Sequence, residues 1–311
     1  MDSYKLVSLK SVATALAAGA AAAGIAFVAY RLLLGSHLDE ELLSRYVAPV
    51  VEESIKAGYV VYLIRSARVG FLLDSGILGF SVGAGFALVE NLYYASAMRN
   101  PEVGVWIVRG LGTAVMHGSA TAIVGILSKS LTERRGTGSL LLFLPGIAIA
   151  SFAHALFNRL LGNPLLSTMI VLVAMPFLVG IVFHRSDRAT REWLGAGLDM
   201  EVELLEAIES GRVEDTPVGA YLSTLKSRFP GPVVADMLCL LRIHLELSLR
   251  AKGLLVARAA GIEVPVDDQV RANFQEMKYL ERSIGKTGRL AILPFMRSSS
   301  RDLWQLHMLQ S

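Results

Sequence analysis

One cysteine, Cys239, stands in a chain of 311 residues. A lone cysteine closes no internal disulfide and builds no cysteine-based zinc site. It reads as a small buried apolar side chain. Charge is also scarce: Asp, Glu, Lys and Arg make up 18% of the chain, against about a quarter in soluble domains. The net charge of +3 is too small to argue for a nucleic-acid partner. No HExxH occurs, which excludes the common helical zinc-protease arrangement. No internal repeat relates the two halves, which argues against the duplicated architectures usual in transporters.

Long apolar runs are what the chain has in abundance. It is 53% hydrophobic, with a mean hydropathy of +0.50, and such runs signal a membrane protein. A helix needs about 20 apolar residues to cross the hydrocarbon core. Six stretches qualify, from Ser11 to Leu34, Val47 to Ile64, Gly70 to Ala97, Val103 to Leu131, Leu140 to Leu161 and Pro164 to Phe183. The second is the weakest, because charges occupy its first turns. The first, behind Lys5 and Lys10, is longer than a signal-peptide core and reads as an uncleaved anchor.

Basic residues alternate between the loops. Lys5 and Lys10 precede the first span, Arg65 and Arg68 follow the second, Lys129, Arg134 and Arg135 the fourth, and Arg185, Arg188 and Arg191 the sixth. The intervening loops are poorer in basic residues or acidic. The positive-inside rule then places both termini in the cytoplasm of a multi-pass protein of the cell membrane. Gly79 and Gly83 form a GxxxG pair, followed by Gly85, a spacing that lets helices approach closely in lipid.

Beyond Phe183 charged residues return. A helix is expected from Asp199 to Ile208. Thr216-Pro217 starts another, with a capping hydroxyl and a proline at the first position. A long one from Val233 to Ala260 ends near Gly261, and Asp267-Asp268 caps one reaching Ile284. The fold class is therefore all-α. A polytopic membrane bundle of about six spans, residues 1–184, is followed by a helical cytosolic domain, residues 185–311, whose sequence carries no readable function.

Ionisable residues inside a membrane segment are costly and mark function by default. Glu52, Glu53 and Lys56 open the second span. Glu52 and Lys56 share a helix face, with Glu53 on a neighbouring one. Glu90 lies deep in the third span. The fourth carries Arg109, Thr113, His117 and Thr121 at intervals of four, and the fifth carries Ser151, His154 and Asn158. Singly, each reads as a structural ion pair or hydrogen bonder. Jointly they agree in depth: the loop-charge topology puts all four clusters in the same outer slab.

Glutamates, histidines and an asparagine facing one another fit hydrolysis of an amide. A shielded glutamate, Glu52 or Glu53, serves as general base toward water, while histidine and asparagine donate hydrogen bonds to the developing oxyanion. Equally, His117 and His154 with Glu53 suffice as ligands for a catalytic zinc with an open position. The residues alone fit either route.

Taken in order, Glu52-Glu53-x-x-Lys56, Phe86-x-x-x-Glu90-Asn91, Arg109 with His117, and His154-x-x-x-Asn158 resemble the pattern of PrsW-type intramembrane proteases. That family is similar in turn to type II CAAX prenyl proteases and their bacterial relatives. The resemblance covers Val51 to Asn158. It implies an integral membrane endopeptidase with Glu52, Glu53, Glu90, His117, His154 and Asn158 as its active-site set. It also implies a membrane-protein substrate, in the family's signalling members a single-pass anti-sigma factor. Relatives of both metal-dependent and glutamate type leave zinc open. The competing readings are a proton-coupled transporter and a non-catalytic membrane scaffold.

Overall fold

The computed structural model describes residues 7–35, 39–97, 108–135, 139–159, 164–262, 264–265, 268–296 and 300–310. Helix is the regular structure throughout, and no strand occurs among the described residues. They divide into two compact units, with the boundary between Asp187 and Arg188.

The first unit holds α1 (Leu9–Leu34), α2 (Ala48–Arg65), α3 (Leu72–Ala97), α4 (Ala114–Arg135) and α5 (Leu144–Arg159). It also holds the first part of α6 (Pro164–Glu209). Ser8 starts α1 by accepting the amide of Ser11 at 3.1 Å, an ordinary N-cap. A π-helical turn, Leu43–Val47, leads into α2, and another, Val108–Thr113, into α4. A short 3₁₀ turn, Leu140–Phe143, leads into α5.

Among the described residues five helices are long and apolar enough to cross a membrane: Leu9–Leu34, Leu72–Ala97, Gly110–Arg135, Leu140–Arg159 and Thr168–Glu209. The protein is an all-α, multi-pass membrane bundle. At 1.5 Å per residue, a 26-residue helix spans about 39 Å, enough for the hydrocarbon core. The second expected span corresponds to α2. It has 18 residues and falls outside the five because Glu52, Glu53, Lys56 and Arg65 dilute its apolar run. It packs nonetheless against α1, α4 and α5. Leu88, Phe152, Val173 and Phe177 are between 60% and 74% exposed, an outward apolar surface that lipid accommodates and water does not.

Small residues set the spacing of α3. A Cβ on Gly79 would lie 2.6 Å from the Thr121 carbonyl oxygen, and one on Gly83 would collide with the His117 carbonyl. On its other side α3 meets α1, where a Cβ on Gly19 or Gly85 would collide with backbone. The GxxxG pair thus brings α3 against the stretch of α4 that carries His117.

Two expectations change here. Lys129, read as a loop charge, lies inside α4 and is fully buried. Its ammonium donates to the Val69 carbonyl at 3.0 Å and stands 3.7 Å from Glu133, so a backbone acceptor and a carboxylate let it stay inside. The helix that carries the sixth span does not stop at Phe183: α6 runs on to Glu209 and absorbs the helix expected from Asp199. The expected start of the fourth span, 103–107, lies outside the described residues.

The second unit has the end of α6, α7 (Pro217–Leu225), α8 (Gly231–Ala259), α9 (Asp268–Ile292) and α10 (Ser300–Gln310). Thr216 caps α7 by accepting the Gly219 amide at 3.1 Å. Gly261, with φ of 76°, follows α8, and Gly285, with φ of 64°, breaks α9 just after Ile284; both need the left-handed region that glycine tolerates. The core gathers Met237, Leu240, Leu241, Leu247, Phe274 and Ile284. Cys239 is free and exposed, not buried, because it falls on the outer side of α8 between inward-facing Met237 and Leu240.

Candidate active site

The buried face of α2 is Glu53, Lys56, Ala57, Val60, Leu63 and Ile64, a helical repeat of three and four. Its apolar part packs with Ala120 and Val124 of α4 and with Phe143 and Ala150. That packing carries Glu53 and Lys56 inward with no exposed surface at all. Charges so placed persist only when paired and hydrogen-bonded.

The pairing is complete. Lys56 Nζ donates to Glu53 Oε1 at 2.6 Å and to His117 Nδ1 at 2.9 Å. The ammonium also lies 4.6 Å from the centre of the Phe86 ring, within cation–π range. An ammonium has three donors and no lone pair, so Nδ1 of His117 accepts. The ring proton therefore sits on Nε2, which donates to Glu90 Oε2 at 2.7 Å. On the other side, His154 Nδ1 lies 3.0 Å from Glu53 Oε1 and donates to it. Thr121 Oγ1 reaches Glu53 Oε2 at 3.4 Å. The two imidazoles meet edge to face, with centroids 4.7 Å apart.

What this leaves over is on one side. In its neutral form, with the proton on Nδ1, His154 presents a lone pair at Nε2, and that atom is 3.9 Å from Glu52 Oε2. Glu52 Oε2 is buried without a hydrogen-bond partner. Two acceptors thus face each other across a gap. One ligand atom each from Glu52, His117 and His154 gather within 4.8 Å of one another, so among the described residues these three form a group that could hold a metal. Glu53, the carboxylate expected in that role, is instead occupied by Lys56 and His154.

Residues 5–181 match the model of a family described as PrsW family intramembrane metalloprotease. The chain belongs to the PrsW family. The match reaches beyond Val51–Asn158, where the motifs lie, to take in α1 and the apolar part of α6. A PrsW-family chain is a membrane-embedded protease, and this one is accordingly a multi-pass membrane hydrolase acting on membrane proteins. No curated protein and no solved structure matches the chain.

Of the residues singled out from the sequence, Glu52, Glu53, Lys56, Glu90, His117 and His154 come together from four helices. Asn158 is half-buried, one turn beyond His154 and on the same face of α5. Asn91 donates to the Gly110 carbonyl at 3.3 Å, tying α3 to the π-helical turn before α4. Sequence reasoning missed the part played by Lys56, which crosses to His117. The signal was present in its spacing: three residues after Glu53, on the side that Ala57, Val60 and Ile64 commit to the interior.

Proposed function

We propose that the protein hydrolyses a peptide bond in or beside the membrane span of another membrane protein, with Glu52 as the general base. The observation that carries this reading is the gap between Glu52 Oε2 and His154 Nε2. Two facing acceptors call for an occupant with two positive poles, which is either a water giving a proton to each or a metal cation.

In the protein-only form of the reaction, Glu52 takes a proton from the water as its oxygen attacks the scissile carbonyl carbon. The C–O bond forms and the carbonyl electrons move onto oxygen, where the Asn158 amide donates a hydrogen bond. The intermediate then collapses, the C–N bond breaks, and the proton on Glu52 passes to the departing amine. Glu53 holds His154 in one tautomer, and the Glu53–Lys56–His117–Glu90 chain keeps that half of the site fixed.

The donor set also fits a metal, zinc by its mixture of imidazole and carboxylate. Glu52, His117 and His154 would hold it, with Glu53 bonded to the outer nitrogen of His154 in the arrangement common behind metal-bound histidines. When bound, the metal polarises water and carbonyl. A single-pass membrane protein is the substrate class we favour. We place residues 185–311 and both termini in the cytoplasm of a protein of the cell membrane, the side of the basic loops.

The test compares new protein N-termini in membranes expressing the chain or its Glu52→Gln variant at equal levels. A terminus in or near a membrane span, present with the wild type and absent with the variant, supports the reading. Identical sets of termini from equally inserted proteins refute it.

A further inference from the structure

His117 has no ring nitrogen to spare. Lys56 Nζ stands 2.9 Å from Nδ1 and Glu90 Oε2 stands 2.7 Å from Nε2. Yet His117 is one of the three side chains whose ligand atoms converge within 4.8 Å. A metal bonds to a lone pair, and neutral imidazole has one. In this arrangement it is already given to Lys56.

There are two ways for a metal to take His117. It can bond at Nε2, which requires the ring proton to move to Nδ1; that nitrogen then points a donor at an ammonium that has only donors. It can bond at Nδ1, in which case it displaces Lys56 directly. Either way the hydrogen bond between Lys56 and His117 breaks. The ammonium is not stranded when it does. Glu53 Oε1 holds it at 2.6 Å and the Phe86 ring lies 4.6 Å away.

We propose that Lys56 competes with the metal for His117, acting as a resident cation that keeps the third ligand engaged until a metal takes it. The proposal rests on reading Glu52, His117 and His154 as the metal-holding group. Lys56 is a positioning residue in this scheme: it acts through His117 and does not touch substrate. It gives the metal-free protein a neutralised, hydrogen-bonded interior and sets how readily the site loads.

Zinc affinity of the full chain in detergent tests this, measured by competition with a chromogenic chelator for the wild type, Lys56→Met, His117→Asn and the double variant. Lys56→Met should tighten zinc about tenfold or more, the scale on which groups behind a metal ligand act. That gain should vanish when His117→Asn is also present. Removing a nearby positive charge by itself would tighten zinc equally in both backgrounds, and that outcome overturns the proposal.

A second measurement needs no variant. In metal-free wild type, ¹⁵N shifts of labelled histidine should show His117 with its proton on Nε2, and zinc should shift the nitrogen it takes, either Nδ1 with the proton kept on Nε2 or Nε2 with the proton moved to Nδ1. Zinc binding with His117 unchanged overturns the competition while leaving a metal site in place. If neither wild type nor Lys56→Met binds zinc, the metal reading fails and the proposal falls with it.

Discussion

His154 donates from Nδ1 to Glu53 Oε1 at 3.0 Å while its Nε2 faces Glu52 Oε2 at 3.9 Å. One imidazole therefore separates two adjacent glutamates: Glu53 is held by Lys56 and His154, and Glu52 carries the unsatisfied oxygen. Replacing each should expose different quantities. Glu53→Gln takes the partner from a fully buried Lys56, a change that costs about 3–5 kcal/mol where a buried pair is broken. Glu52→Gln removes an oxygen that has no hydrogen-bond partner, and should cost no more than about 1 kcal/mol. We expect thermal melting in detergent to fall sharply for Glu53→Gln and little for Glu52→Gln, with cleavage abolished by the latter.

The contact of α3 with α4 gives a purely steric prediction. A methyl group on Gly83 collides with the His117 carbonyl, and that backbone has no rotamer to turn away. Gly83→Ala should push the helices apart and cost about 1–3 kcal/mol or more. Gly58, inside α2, has nothing within 4 Å of a Cβ. Gly58→Ala should then stabilise by about 0.5–1 kcal/mol through helix propensity. Opposite shifts in melting temperature for two identical substitutions would show that approach distance, not glycine content, fixes the bundle around His117.

Much of this was legible in the sequence because lipid makes periodicity strict. Apolar runs of 20 residues have few other uses, so the spans and the helical class could be read directly. The polar residues were legible for the converse reason: Glu90, His117 and His154 interrupt those runs. Pairing was harder. Glu52, Glu53 and Lys56 sit within two turns, and spacing allows Lys56 to reach either glutamate. Only the packing of Ala57, Val60 and Ile64 decides that Glu53 turns inward. Lys129 shows the opposite failure, since a charge near a span end looks like a loop residue until the Val69 carbonyl that receives it is known.

The second unit supplies a pH dependence. His244 on α8 is buried, and its Nδ1 has no hydrogen-bond partner. Burial holds its pKa below the ordinary 6.5, against the opposing pull of Asp302, Glu201 and Glu281. The unfolded chain thus binds the proton more readily than the folded one, and stability rises with pH across that interval. The contribution is whole above pH 6.5 and is lost as the pH falls from there toward the folded-state value. We expect the full chain to lose melting temperature between pH 7 and 5, and His244→Leu to flatten that loss. An unchanged slope in the variant would assign the dependence to other groups.

Metal removal is the remaining discriminator between the two chemistries that the site admits. The family is described as metalloprotease, and Glu52, His117 and His154 converge as a ligand group. If the metal is part of the reaction, 1,10-phenanthroline should stop cleavage and added zinc should restore it, with the apo protein still folded because Lys56 neutralises Glu53. His154→Asn should weaken zinc more than Glu90→Gln does, since His154 offers a free lone pair while Glu90 is engaged by the Nε2 proton of His117. Cleavage that survives chelation, in protein shown by elemental analysis to hold no metal, would leave Glu52 and a water between the two acceptors as the whole of the apparatus.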